Sequence, residues 1–230
     1  MATVSGSMVN VVGVGSAVIT ASQAAGGNYG AAATNATLTV NAASNVISFP
    51  ALSGVTYSNG LTVGLGASAS SGLVVGYSTA ATNVSISGTN VTVLGVGTAM
   101  IVASQSGNSN YVAATPVTNV LTIGQGSAGV TITGTSATYD GTGKGVSVVT
   151  VPSNLGVGVS YNGLTNLPTN AGNYSVVASV NDANYAGSST ATLTIGAAAP
   201  VLGSFTVGTK VYGAGTFLSL IHISEPTRPY

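Results

Sequence analysis

Few residues in this chain could do chemistry. Its 230 residues hold three Lys or Arg, three Asp or Glu, one His and no Cys. The acids are Asp140, Asp182 and Glu225. A pair of carboxylates is what glycoside hydrolysis uses, one as acid and the other as nucleophile or base. Carboxylates are also hard ligands for calcium, but that ion takes about six to eight oxygens, and Asp140-Gly141 is an ordinary turn pair. His222 has the chemistry of a general base, and Ser and Thr are abundant, but a hydroxyl nucleophile needs a base beside it. Before residue 218 the chain has no His and only Lys144 and Lys210 as cations. The pairs Gly13/Gly15 and Gly95/Gly97 could begin a phosphate loop only if a helix came after them. The residues after each pair are rich in β-branched types and read as a strand. The expectation is no catalytic residue, no cofactor-binding residue and no metal site.

Composition narrows the partners. With Lys144, Lys210 and Arg228 as the only basic residues, the chain cannot replace counterions along a phosphate backbone, which excludes nucleic acid. An anionic lipid surface is excluded for the same reason. No apolar run reaches the roughly 18 residues of a spanning helix. The absence of Cys rules out disulfides and thiolate metal sites.

The elements that position these residues come from a repeat. Residues 6–32 realign on 88–114 at a constant offset of 82, with 15 of 27 positions identical. The shared frame is G-x-x-V-x-V-x-G-V-G-x-A-x-I-x-A-S-Q, then Asn28-Tyr29 or Asn110-Tyr111. Asn184-Tyr185 is a third copy of the last pair. A period near 80 is too long for one solenoid turn and suits one small β domain. Alternating runs such as residues 90–93 and 175–180 read as strands with one buried face, and no helical stripe competes with them. The fold class is all-β: tandem antiparallel sandwiches.

The repeat also sets the organisation. Residues 1–40 are the C-terminal part of a module, with strands near 8–12, 16–22 and 36–40. Residues 41–44 are a linker. Residues 45–123 are one complete module, with strands near 46–49, 61–67, 73–78, 84–87, 90–94, 98–104 and 117–123. Residues 124–129 are a second linker. Residues 130–195 are a shorter module of another subtype, with strands near 130–133, 145–151, 157–161, 173–180 and 190–195. A third linker precedes the start of a further repeat at 201–217.

The G-x-x-V-x-V-x-G-V-G frame resembles bacterial immunoglobulin-like repeats. Residues 139–142 (Tyr-Asp-Gly-Thr), 168–174 and 180–185 resemble the MBG/YDG repeat of large bacterial surface proteins. The resemblance implies immunoglobulin-like sandwiches that serve as a stalk or spacer in a cell-surface or secreted adhesin-like protein. Their partners would be neighbouring repeats of the same polypeptide. It implies no catalytic residues. In that strand order Asp140 falls in the first loop and Asp182 in the loop before the last strand, at opposite ends of a sandwich. The alternatives are a module that binds glycan or protein through its loops and a β-helix passenger of the autotransporter kind. A β-helix predicts a period near 20.

Both ends read as artificial. Residues 218–230 (LSLIHISEPTRPY) resemble a translated transposase-type sequencing adapter and hold the only His, Glu and Arg. Residues 1–6 align with 83–88, inside the repeat, so Met1 reads as an internal methionine. Three packing expectations remain. Tyr111 and Tyr185 should be largely buried at module ends, their hydroxyls on backbone partners. Asn28, Asn110 and Asn184 suit loop backbone. Val9, Val11, Ile19 and Leu38 should be more exposed than Val91, Val93, Ile101 and Leu121.

Overall fold

The computed structural model describes residues 1–201 and the pair Tyr212 and Gly213. The adapter-like tail, with His222, and nearly all of 201–217 lie outside the described residues. Among the described residues every regular element is a strand. Among these residues no helix is long and apolar enough to cross a membrane. The chain divides into two compact units, Met1–Ser127 with Asp182–Ala186, and Ala128–Asn181 with Gly187 onward.

The first unit is built around its longest hairpin. Strand Gly97–Gln105 pairs antiparallel with Ala114–Gly124, and a register shift falls between Ala103 and Gln105. Alternation puts Ala99, Ile101 and Ala103 on one face with Leu121 and Ile123 opposite, all buried. Gly76–Ser78 extends the sheet on one side, and Val55–Thr56 runs parallel to Ala114–Gly124 on the other. A second sheet of Val84–Ser87, Asn90–Val93 and Thr62–Gly64 supplies Val84, Val91 and Val93 to the same core. Ile47, Phe49, Leu65 and Val75 complete it.

Residues 1–40 repeat part of this arrangement in register. Ala2–Ser5 pairs with Met8–Val11 so that Ala2 faces Val11, as Val84 faces Val93 in the complete module. Gly15–Gln23 pairs with Ala32–Val40 so that Gly15 faces Val40, as Gly97 faces Ile123. Gly15 and Gly97 even share a backbone angle, φ +130° and +131°, which L side chains rarely adopt. Burial differs as predicted. Val9 and Val11 are 40% and 58% exposed against 0% and 1% for Val91 and Val93. Ile19 and Leu38 are half-buried, whereas Ile101 and Leu121 are fully enclosed.

The second unit has a four-stranded sheet in the order Ser136–Thr138, Ser188–Gly196, Gly172–Val180, Val157–Tyr161, and a separate pair, Gly129–Thr133 with Ser147–Val151. Its core is Tyr161, Val176, Leu193 and Ile195, covered by Ile132, Tyr139, Val146, Val159 and Tyr174.

The all-β, mainly antiparallel expectation holds, with one addition. Each four-stranded sheet carries a short parallel edge strand beside its last strand, Val55–Thr56 in the first unit and Ser136–Thr138 in the second. Strands of two or three residues are too short to show a period, and parallel pairing needs a long crossover that spacing does not reveal. The linker reading of residues 41–44 and 124–129 needs correction. Ala43 pairs with Tyr111, and Gly126–Ser127 pairs with Tyr185–Ala186. These segments take part in pairing, and Gly126 lies so close to the Tyr57 carbonyl and the Tyr185 ring that a Cβ there would clash.

Leu121→Ala should cost about 2–5 kcal/mol of stability, because the side chain is wholly enclosed. Leu38→Ala, at the equivalent half-buried place, should cost less than about 1 kcal/mol. Urea midpoints of the two variants check the contrast.

Candidate functional site

Asp140 and Asp182 are the carboxylates that lie within the described residues. Asp140 lies in the second unit just after Ser136–Thr138, in the loop Tyr139-Asp-Gly-Thr-Gly-Lys144. Its Oδ1 accepts from the Thr142 N–H at 2.9 Å and from the Thr142 hydroxyl at 2.6 Å. Its Oδ2 is held by the Lys144 ammonium, which also donates to Thr142 Oγ1 at 3.0 Å. Gly141, at φ +81°, makes the turn that brings Thr142 back onto the carboxylate. Pro168 anchors the far end of the loop by accepting from the Lys144 N–H. A side chain at Gly143 would run into Leu167. Both carboxylate oxygens are thus committed to the loop's own closure. The Lys144 ammonium, then the Thr142 hydroxyl and amide, hold the Asp140 carboxyl well below the ordinary carboxylate range.

Asp182 belongs to the first unit and closes a different turn. Its Oδ1 accepts from the N–H groups of Asn184 and Tyr185 at 2.8 and 3.0 Å. Asn108 does the same for Asn110 and Tyr111 at 2.9 and 3.0 Å. The two acids therefore serve in two separate turns. Among the described residues no group of three or more His, Cys, Asp or Glu could hold a metal ion.

A strand follows each glycine pair, as the β-branched residues predict, but a hairpin reading of the pairs needs correction. Asn90–Val93 and Gly97–Gln105 belong to different sheets, as do Met8–Val11 and Gly15–Gln23, so each Gly-Val-Gly carries the chain from one sheet to the next. Leu94 and Gly95 both donate to the Asn83 carbonyl, and Val12 and Gly13 both donate to the Met1 carbonyl. That places Met1 in the position of Asn83, as the alignment has it.

The tyrosines differ from expectation. Tyr29 is 82% exposed, and Tyr111 and Tyr185 are half-buried rather than largely buried. Tyr185 stacks edge-on against Tyr57 at 5.3 Å. The hydroxyls that find backbone partners belong to other tyrosines. Tyr77 donates to the Leu65 carbonyl at 3.1 Å, and Tyr161 accepts from the Val146 N–H at 3.0 Å. The recurring Asn-Tyr pairs stand in turns and not in the core, so their rings are only partly covered. Burial goes instead to Tyr161, a strand residue whose ring points inward.

The sequence reading missed a buried polar pair. Asn45 and Gln105 are both buried, and the Asn45 amide donates to Gln105 Oε1. The same Oε1 accepts from the Gly107 N–H at 2.7 Å, while Asn45 Oδ1 accepts from the Ser71 N–H at 3.3 Å. Gln105 is part of the repeated A-S-Q, which was the available signal. A shallow depression of about 300 Å³ near Ser68, Val74, Tyr77 and Thr89 lies on the same unit. Its tyrosine packs on Phe49 at 5.8 Å and is tied by its hydroxyl to the backbone.

Residues 128–199 match the family model of the MBG domain. This segment is similar to an MBG domain, in agreement with the Tyr-Asp-Gly and Asn-Tyr segments that suggested the resemblance. No curated protein matches the chain.

Because the Asp140 pKa is lowered, the loop's stabilising contribution is complete above the unfolded value of about 3.9 and is lost only as pH falls through the lower folded value. The Asp140 carboxyl ¹³C shift should stay flat from pH 7 down to about 4. Lys144→Ala should bring its midpoint up towards the ordinary range.

Proposed function

We propose that this chain is a run of immunoglobulin-like spacer modules from a bacterial cell-surface or secreted adhesin-like protein, and that it works by spacing. The modules are 45–123 and 130–195, with residues 1–40 as part of another. The observation that carries this reading is structural repetition. Two stretches 82 residues apart fold into the same hairpins in the same register. The four-stranded sheets of the two units also share one strand order, with a parallel edge strand, the last strand, the one before it and a middle strand. Repeating one unit lengthens a polypeptide without new chemistry. The MBG match supports the surface assignment.

The proposal includes the absence of catalysis. Supporting it, Asp140 spends both oxygens on Thr142 and Lys144, and Asp182 spends Oδ1 on its own turn. Glycan binding is the second reading, favoured by one observation. Tyr29 displays its ring to solvent, and an exposed aromatic face can stack on a sugar.

Single-molecule pulling of the full chain tests the spacer. Each module should unfold in its own event, releasing about 3.4 Å of contour per residue, so that 45–123 gives the longer step. A single event spanning both modules would contradict it. Saturable retention on a glycan array that Tyr29→Ala abolishes would favour the second reading.

A further inference from the structure

Two of the Asn-Tyr turns meet the segments that the sequence predicted as linkers, and they make the same set of contacts within the first unit. Asn110 Oδ1 accepts from the Val14 N–H at 3.2 Å, in the middle of the Gly13-Val14-Gly15 connection. Asn184 Oδ1 accepts from the Val96 N–H at 3.0 Å, in the middle of Gly95-Val96-Gly97. A Cβ on Gly13 would lie 3.5 Å from Asn110 Oδ1, and a Cβ on Gly95 would lie 3.5 Å from Asn184 Oδ1. The backbone contacts repeat too. The Asn110 carbonyl accepts from Ala43 at 2.8 Å, and the Asn184 carbonyl from Gly126 at 2.9 Å. Both asparagines are held by an acceptor two residues earlier, Asn108 or Asp182.

We propose that the Asn-Tyr turn is a docking element that receives the Gly-x-Gly connection of another repeat, with the Asn110 and Asn184 side chains as the groups that recognise it. The chemistry fits the task. The N–H groups of Leu94 and Gly95, and of Val12 and Gly13, are spent on the Asn83 and Met1 carbonyls. The middle residue of each connection, Val14 or Val96, gives its N–H to the asparagine. An amide oxygen satisfies it without charge, which suits a chain of which only 3% is charged. The linker residue then adds a backbone bond that fixes the approach. At the second of these sites Gly126 fits between the Tyr57 carbonyl and the Tyr185 ring, where a Cβ would clash. The turn at Gly26–Tyr29 is a third copy. Gly26 and Tyr29 exchange two backbone hydrogen bonds at 3.1 Å, and Gly26 stands where Asn108 and Asp182 stand in the other two. Its occupant is the Gly-x-Gly connection of a further repeat of this type. Tyr29, exposed in this turn, would be covered by it. This inference rests on the spacer reading and supplies its joint.

Amide hydrogen exchange on the full chain tests it. Asn110→Ala should speed exchange of the Val14 amide about fivefold, the protection that one net hydrogen bond gives. Val96 and the amides of Gly97–Gln105 should stay at their wild-type rates. Asn184→Ala should do the reverse, accelerating Val96 and sparing Val14. Asn110→Asp, which keeps the acceptor, should retain most of the Val14 protection, and Asn28→Ala should leave both amides alone. An unchanged Val14 amide in Asn110→Ala overturns the docking role while leaving separate unfolding of the modules intact. Equal acceleration along Gly97–Gln105 also overturns it, because Asn110 would then support its own fold and not a partner's. If Asn110→Ala does not fold, Asn184→Ala decides alone.

Discussion

The pairing of two long adjacent strands into one hairpin is the constraint on which the rest of the structure depends. In the first unit it joins Gly97–Gln105 to Ala114–Gly124, and in the second Gly172–Val180 to Ser188–Gly196. Each hairpin turns one face inward at every second residue. In the first unit Ala99, Ile101, Leu121 and Ile123 are sealed, and in the second Val176, Ala178, Leu193 and Ile195. The small residues in these rows let the facing layer approach closely, and the larger ones fill the space between. A one-residue slip would turn every one of these side chains to solvent. Register is therefore strongly specified by burial in a sequence that has almost no charge to specify it otherwise.

That scarcity of charge shapes the turns. Backbone groups at hairpin ends need partners, and here amides and hydroxyls supply them. Asn108, Asn162 and Asn184 accept from backbone N–H groups, as do Thr79 and Ser70. The salt bridge of the second unit, Lys144 with Asp140, closes a loop that also needs Thr142 and Gly141. An exposed ion pair of this kind contributes little by itself. Its use is to hold the Tyr139–Lys144 loop in one shape over Leu167.

Much of this was legible from residue types. The strands at 84–87, 90–93, 97–105 and 172–180 follow from alternation, and the all-β class follows with them. Gly-Val-Gly between β-branched runs marks a break between strands, but does not show that the chain there passes to another sheet instead of folding back as a hairpin. What could not be read was whatever depends on a distant partner. Val55–Thr56 and Ser136–Thr138 are strands only because Ala114–Gly124 and Ser188–Gly196 lie beside them. Ala43 and Gly126 looked like linker residues because small side chains permit both flexibility and close pairing. Tyr111 and Tyr161 are the same residue type, yet the first stands in a turn and the second on a strand's inner face. The kinship of the two units shows in sequence at Asn110-Tyr111 and Asn184-Tyr185. Their shared strand order, and a detail such as the Tyr57 and Tyr139 amides donating to the Gly124 and Gly196 carbonyls, lies outside that short frame.

The central claim is that each unit is held by a core of its own, so that repetition extends the chain without depending on any one site. The most direct test is urea unfolding monitored by methyl NMR at Ile101 and Val176, in the wild-type chain and in Leu193→Ala. The account predicts that the variant lowers the midpoint at Val176 by an amount equivalent to about 2–5 kcal/mol. The Ile101 midpoint should move by a small fraction of that. A single midpoint shared by both methyls, shifting by the same amount in the variant, would contradict it.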